Sequence, residues 1–302
     1  RLTVIWNYLK RGNASPRRIQ RTCELTGFHP FFIERIGDLV KIGNRLEKVK
    51  KNIPKNILLK AKRNGFSDSH ISYLTGKKEE TIRNQRKRMN ITSSFLMVDT
   101  CAGEFEAKTP YFYSTYSDHK SEYKIGKSIV ILGSGPIRIG QGIEFDYSTV
   151  HGVQAVRKTG YEAVVVNNNP ETVSTDFDAS DRLYFEPLDA ESVFAILDAE
   201  KPYGIILQLG GQTAVNLASE VEAYIKKEKL KTKILGTKVR DMNTAEDRGK
   251  CGELMRKAGI KMPEWAIAKN SDEVTTRAKE IGFPVLIRPS FVLGGRGMEI
   301  VY

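Results

Sequence analysis

The chain has 302 residues, 40% hydrophobic and 28% charged, an ordinary globular composition with room for about two domains. No run of about 18 apolar residues offers a membrane span. The opening residues Arg1-Leu2-Thr3-Val4-Ile5-Trp6 lack the apolar core of a signal peptide. The formal charge of +12 is unevenly spread: residues 1–127 carry 26 Lys and Arg against 12 Asp and Glu, and the remainder carries 22 against 24.

In chain order, the basic region reads as mainly helical. Apolar residues recur three and four apart near 1–11, 16–25, 30–50, 55–64, 67–74 and 78–89, with Gly, Pro or Asn between. In the third segment Phe31, Phe32, Ile36, Leu39, Val40 and Leu46 are expected to form one buried stripe. Gly65 closes one helix before Ser67 caps the next, and Gly76 falls in the following turn. Residues 93–116 do not read as helical, and the polar stretch 117–127 reads as a linker. The start without Met, in mid-pattern, suggests a piece of a longer polypeptide.

From Ser128 strands and helices alternate. A β-branched strand at 128–132 precedes a glycine-rich loop and a helix to about Lys158. Strands follow at 162–166, 182–185 and 204–207, with a helix from Asp189 between the last two. Such alternation implies βαβ units, a parallel sheet and a ligand crevice at the carboxyl ends of its strands. A helix is expected from Thr244 with Asp247 completing a capping box, then a helix at 271–281, a strand at 285–288 and a final strand. The expected fold is α/β with a separate, mainly α-helical N-terminal domain. Its divisions are 1–127, 128–243 and 244–302.

Three cysteines (Cys23, Cys101, Cys251) without CxxC spacing read as reduced thiols of a cytosolic protein, and the four scattered histidines form no metal motif. Chemistry concentrates in polar loops after apolar strands. Gly133-Ser134-Gly135-Pro136-Ile137-Arg138-Ile139-Gly140-Gln141-Gly142 suits an anion or a mere turn, and Arg138 beside Glu144 favours the anion. As a dinucleotide fingerprint it is defective, because Arg138 stands where GxGxxG needs glycine. Asn167-Asn168-Asn169-Pro170-Glu171 and Gly210-Gly211-Gln212-Thr213 end two further strands, and three such loops favour one shared site. Arg288, followed by Gly294-Gly295 in a flexible hairpin, suits triphosphate binding, and Arg248 could approach the same phosphates.

The motifs GSGPIRIGQGIEFDY (133–147), NNPETVST (168–175), SDRLYFEP (180–187), GGQT (210–213) and RPSFVLGGRGMEIVY (288–302) resemble the second synthetic half of carbamoyl-phosphate synthetase large subunits. VDTCAGEF (98–105) and YSTY (113–116) resemble the segment joining that family's helical oligomerisation domain to this half. The resemblance implies a pre-ATP-grasp (Rossmann-like) domain and the start of an ATP-grasp domain. It also implies a ligase that phosphorylates carbamate with ATP for arginine or pyrimidine biosynthesis, with the fragment alone inactive. Arg248 and Arg288 match the family's nucleotide-phosphate arginines, and Gly294 and Gly295 its phosphate-side turn. Arg138, Gly142, Glu144 and Glu171 match residues lining the passage by which carbamate arrives. The implied cofactor is Mg²⁺ or Mn²⁺, held by residues beyond Tyr302. The implied partners are the first synthetic half, a glutaminase small subunit and further copies bound through the helical domain. Two departures stand out: Lys250 and Cys251 replace the usual Arg and Phe after Arg248, and the Lys-rich stretch 223–233 reads as an extended helix end. The rival reading is nucleic-acid binding through the basic, helix-turn-helix-like residues 66–89, although a charge run is usually a solvated face.

Overall fold

The computed structural model describes residues 1–49, 51–122, 126–136, 143–288 and 297–302. They divide into two compact units, 1–96 with 114–122 and 97–113 with 123–302. Residues 97–113, ahead of the linker in sequence, thus group with the second unit.

The first unit contains α1 (Leu2–Arg11), α2 (Pro16–Thr26), α3 (Pro30–Glu47), α4 (Lys55–Arg63), α5 (Asp68–Thr75) and α6 (Glu79–Arg88), as the apolar spacing implied. Pro16 and Pro30 open their helices, where a missing N–H costs nothing. Ser67 Oγ accepts the His70 N–H at 3.0 Å, and Gly76, at φ 66°, closes α5 in the left-handed conformation that glycine adopts most easily.

The stripe expected on α3 needs correction. Its buried face runs through Ile33, Gly37, Val40, Ile42, Gly43 and Leu46, whereas Phe31 and Phe32 are 55% and 59% exposed. The two phenylalanines stand in the first turn of α3, whereas the buried residues that share their directions round the helix, Ile42 and Gly43, lie about three turns further on.

Asp68 is fully buried among α4, α5 and α6. Arg86 reaches it with Nε at 3.1 Å and Nη2 at 2.9 Å, and Lys62 Nζ lies at 3.3 Å. Arg86 also donates to the Ile91 carbonyl at 3.0 Å and Lys62 to that of Phe66 at 2.7 Å, so both cations are anchored inside the unit. Part of the basic excess is therefore internal structure.

The second unit follows β1 (Ser94–Met97), the element at which the chain leaves the first. Its parallel strands are β2 (Tyr111–Thr115), β3 (Ser128–Leu132), β4 (Glu162–Val166), β5 (Arg182–Tyr184), β6 (Gly204–Ile206) and β7 (Lys233–Leu235), in the spatial order β2-β5-β4-β3-β6-β7. Helices α7 (Glu144–Lys158), α8 (Ala190–Glu200) and α9 (Gly211–Lys227) connect them. β3 and β4 are buried on both faces, which explains their unbroken β-branched runs. β2 and β7 were not foreseen. β7 begins at the last residue of the stretch 223–233 read as a helix end: α9 stops at Lys227 and the chain re-enters the sheet at Lys233.

Glu200, fully buried at the end of α8, gathers the amino ends of the strands. It accepts from Arg182 at 2.9 and 3.0 Å, from Tyr184 Oη, and from Ser128 Oγ at 3.2 Å. Arg182 also pairs with Glu162 at 2.8 Å. Burial works against the Arg182 charge, but bonding to Glu200 and then Glu162 outweighs it and raises its pKa.

Beyond the sheet come α10 (Val239–Glu246), α11 (Arg248–Lys257), α12 (Ser271–Ile281) and the antiparallel pair β8 (Val285–Ile287) and β9 (Glu299–Val301). The helix expected from Thr244 is instead two helices broken at Asp247, whose ψ is 103°. Thr244 sits inside α10 and donates to the Arg240 carbonyl at 2.9 Å, while Asp247 is the cap of α11. Residues beyond the break pack closely: a Cβ on Gly249 would stand 2.5 Å from Ile267 Cδ1, and one on Gly252 would meet the Trp265 ring. Small residues at these positions let the chain cross α11.

Candidate functional site

The chain runs from β3 outward through β4 to β5, then returns past β3 to β6. This reversal makes the carboxyl ends of β3 and β6 a topological switch point, where open parallel sheets hold ligands. The three polar loops singled out above leave β4, β3 and β6, which are adjacent strands.

Their backbones touch. Gly133 N–H donates to the Val166 carbonyl at 2.9 Å, joining the β3 and β4 ends. Gly210, after β6, lies so close to the β3 end that a Cβ there would stand 2.5 Å from the Leu132 carbonyl oxygen and still nearer that of Gly133. Replacing Gly210 by alanine is expected to push these strand ends apart and destabilise the second unit by about 1–3 kcal/mol, read from denaturant midpoints. An unchanged midpoint would mean that the loops tolerate separation.

Asn167, fully buried at the end of β4, ties the loops further. Its Oδ1 accepts the N–H groups of Gly135 and Asn169, both at 3.1 Å, and its Nδ2 donates to Ser174 Oγ at 3.3 Å. Asp146, buried on α7, accepts the Ser174 N–H at 3.1 and 3.2 Å. Neither role was read from the sequence. The available signal was Asp146 at the head of an otherwise packed stripe, Thr149, Val153 and Val156.

The candidate residues distribute as follows. Glu144 opens α7 and Glu171 lies on the β4 loop; both are exposed. The Asp146–Ser174 bond joins the segments that carry them. Arg138, Gly142, Gly294 and Gly295 lie outside the described residues. Arg248 is the first residue of α11 and exposed. Asp247 caps that helix through the Lys250 N–H at 3.1 Å, and this bond, with the Lys250 ammonium at 3.3 Å, holds its carboxyl below the usual carboxylate range. Arg288 is exposed immediately after β8. The structure thus brings the Glu144 and Glu171 segments together and leaves Arg248 and Arg288 on separate elements.

Among the described residues, no group of three or more His, Cys, Asp or Glu could hold a metal ion, and no helix is long and apolar enough to cross a membrane. The three cysteines are free thiols.

Three family models match in order along the chain. They are the carbamoyl-phosphate synthetase large chain oligomerisation domain at residues 1–90, the carbamoyl phosphate synthase preATP-grasp domain at 126–244, and the carbamoyl-phosphate synthase L chain ATP binding domain at 247–302. The carbamoyl phosphate synthase large chain of Methanosarcina mazei is 50% identical over all of this chain. The chain belongs to the carbamoyl-phosphate synthase large-chain family. It spans 28% of the length of that relative and the same share of the Methanosarcina acetivorans large chain, to which it is 49% identical over its whole length. Among solved structures, it is similar to the biotin carboxylase domain of the Hydrogenobacter thermophilus 2-oxoglutarate carboxylase, determined with MgADP, ADP and bicarbonate. That match has 25% identity and a TM-score of 0.42, covering 59% of this chain and 38% of that one. As a family member, the chain combines a helical N-terminal region with a mainly parallel α/β unit.

Proposed function

We propose that this chain serves the step of carbamoyl phosphate synthesis in which ATP phosphorylates carbamate. The observation that carries this reading is the ordered match of oligomerisation, pre-ATP-grasp and ATP-binding regions along one chain, at half identity to carbamoyl phosphate synthase large chains. The meeting of three polar loops at the sheet's carboxyl edge supports it.

In this reading a carbamate oxygen attacks the γ-phosphorus of ATP in line. Phosphoryl transfer needs positioning and charge neutralisation more than covalent help. Arg248 and Arg288 neutralise the phosphates, and Gly294 and Gly295 contribute to binding them. Carbamate reaches them past Arg138, Gly142, Glu144 and Glu171, the arginine attracting the anion and the carboxylates orienting their neighbours. The described residues do not form the metal site that nucleotide chemistry calls for, so no step here is assigned to a metal.

The working enzyme combines this chain with the first synthetic half and a glutaminase small subunit, and self-associates through residues 1–90. Its product feeds arginine or pyrimidine synthesis. The test is ATP formation from MgADP and carbamoyl phosphate by the full large chain. Formation supports the reading; none from a folded, nucleotide-binding protein removes it. The 302-residue chain alone is expected to form no ATP.

The rival, nucleic-acid binding, loses cations to internal pairing: Arg86 is buried on Asp68 and Arg83 binds Glu79 at 2.7 Å. Titration with duplex DNA is expected to show no site whose affinity falls steeply with salt. A steep slope would restore the rival, since each neutralised phosphate contributes about −0.9 to it.

A further inference from the structure

We propose that Asn167 and Asp146 are a positioning pair that fixes the Glu171 loop against the glycine loop and so keeps carbamate on its path to the second phosphorylation. The inference rests on the reaction assigned above. It adds two residues that touch neither nucleotide nor, in this reading, carbamate.

The geometry is a closed circuit. Asp146, 5% exposed, hangs from α7 two residues after Glu144 and accepts the Ser174 N–H through both oxygens, at 3.2 and 3.1 Å. Ser174, three residues after Glu171, accepts from Asn167 Nδ2 at 3.3 Å. Asn167 Oδ1 then takes the Gly135 N–H of the glycine loop and the Asn169 N–H of its own loop. Asn169 Oδ1 in turn accepts the Glu171 N–H at 3.1 Å, so Glu171 is held at one remove. Asn167, Asp146 and Ser174 are all buried. Buried polar side chains cost free energy unless bonded, and an apolar residue would fill the same space more cheaply. Their placement, between the ends of β3 and β4 and the head of α7, joins the segments bearing Glu144 and Glu171 and nothing remote. Asn167 has four hydrogen-bonding positions and uses three of them across two loops, a link that no single backbone bond would make.

A merely structural pair would lower stability and every activity together. A positioning pair separates two reactions. ATP formation from MgADP and carbamoyl phosphate uses the nucleotide site, whereas synthesis from bicarbonate, ammonia and ATP also needs carbamate delivered between sites. In the full large chain, Asn167→Ala is expected to lower overall synthesis by about 10- to 100-fold, the scale of a misplacement near 1 Å. ATP consumed per carbamoyl phosphate should rise, with the reverse reaction near wild type. Asp146→Ala should do the same, and Asp146→Asn, which keeps one acceptor oxygen, should restore the ratio. If Asn167→Ala does not fold, Ser174→Ala, which deletes only the Nδ2 bond, should raise the ratio in the same direction. Parallel loss of both reactions, or an unchanged ratio in folded variants, overturns the positioning role. Failure of the full wild-type large chain to form ATP instead removes the reaction assignment, and the role with it.

Discussion

Replacing Arg288 by alanine in the full large chain is expected to lower carbamoyl phosphate formation by about 10²–10³-fold while leaving the protein folded. The magnitude is that of removing one preorganised donor from a developing anion. The fold should survive because Arg288 is exposed at the end of β8. Lysine at this position would restore charge without the planar fork, so Arg288→Lys should recover only part of the loss. Single-turnover ATP formation from MgADP and carbamoyl phosphate, beside a circular dichroism melt, checks both halves of the expectation. A folded Arg288→Ala enzyme at near wild-type rate would sink the assignment of this residue to the transferring phosphate.

The second large effect is on stability, at the opposite edge of the sheet. Glu200→Ala leaves Arg182 without its bidentate partner and strips Tyr184 and Ser128 of their acceptor, all in buried positions. Breaking a buried ion pair from one side typically costs about 3–5 kcal/mol. For a unit of this size that corresponds to a drop of roughly 6–20 °C in melting temperature. Glu200→Gln should lose less, since its amide oxygen can still accept from Arg182 and Glu162 remains beside the guanidinium. A melt of Glu200→Ala within about 2 °C of wild type, less than 1 kcal/mol by the same scale, would mean that the network can be dissolved without consequence.

The two sheet edges divide the labour. At the amino ends, charge is buried and paired, as in the Glu200 cluster, and serves cohesion. At the carboxyl ends, polar loops meet around glycine backbones and leave Glu144 and Glu171 exposed. The same residue types thus do different work, decided by which end of a parallel strand they follow.

The helices of the first unit were legible because each repeats its apolar residues at a helical period, and the buried strands because β-branched runs such as 128–132 and 162–166 admit little else. β2, Tyr111–Thr115, lacks a β-branched apolar run, and β7 offers only Lys233-Ile234-Leu235, whose pairing with β6 comes from distant chain. The break at Asp247 was mistaken for the interior of one helix, because Thr244 with Asp247 imitates a capping box while the actual cap is Asp247 itself. Phe31 and Phe32 differ from expectation for another reason: they share their helix phase with buried Ile42 and Gly43, but stand in the first turn, and which turns of α3 are covered is set by the neighbouring helices.

By itself, then, the sequence determined the helical and α/β character of the two regions, the family, and the polar loops that follow the buried strands. These depend on local periodicity and on contiguous motifs. Only the tertiary structure decided that Asp146 reaches Ser174, that Asn167 links two loops, and that Gly210 lies against Gly133. Each of these contacts joins residues on different strands or helices, and their pairing is set by the strand order and by packing, which no local pattern encodes.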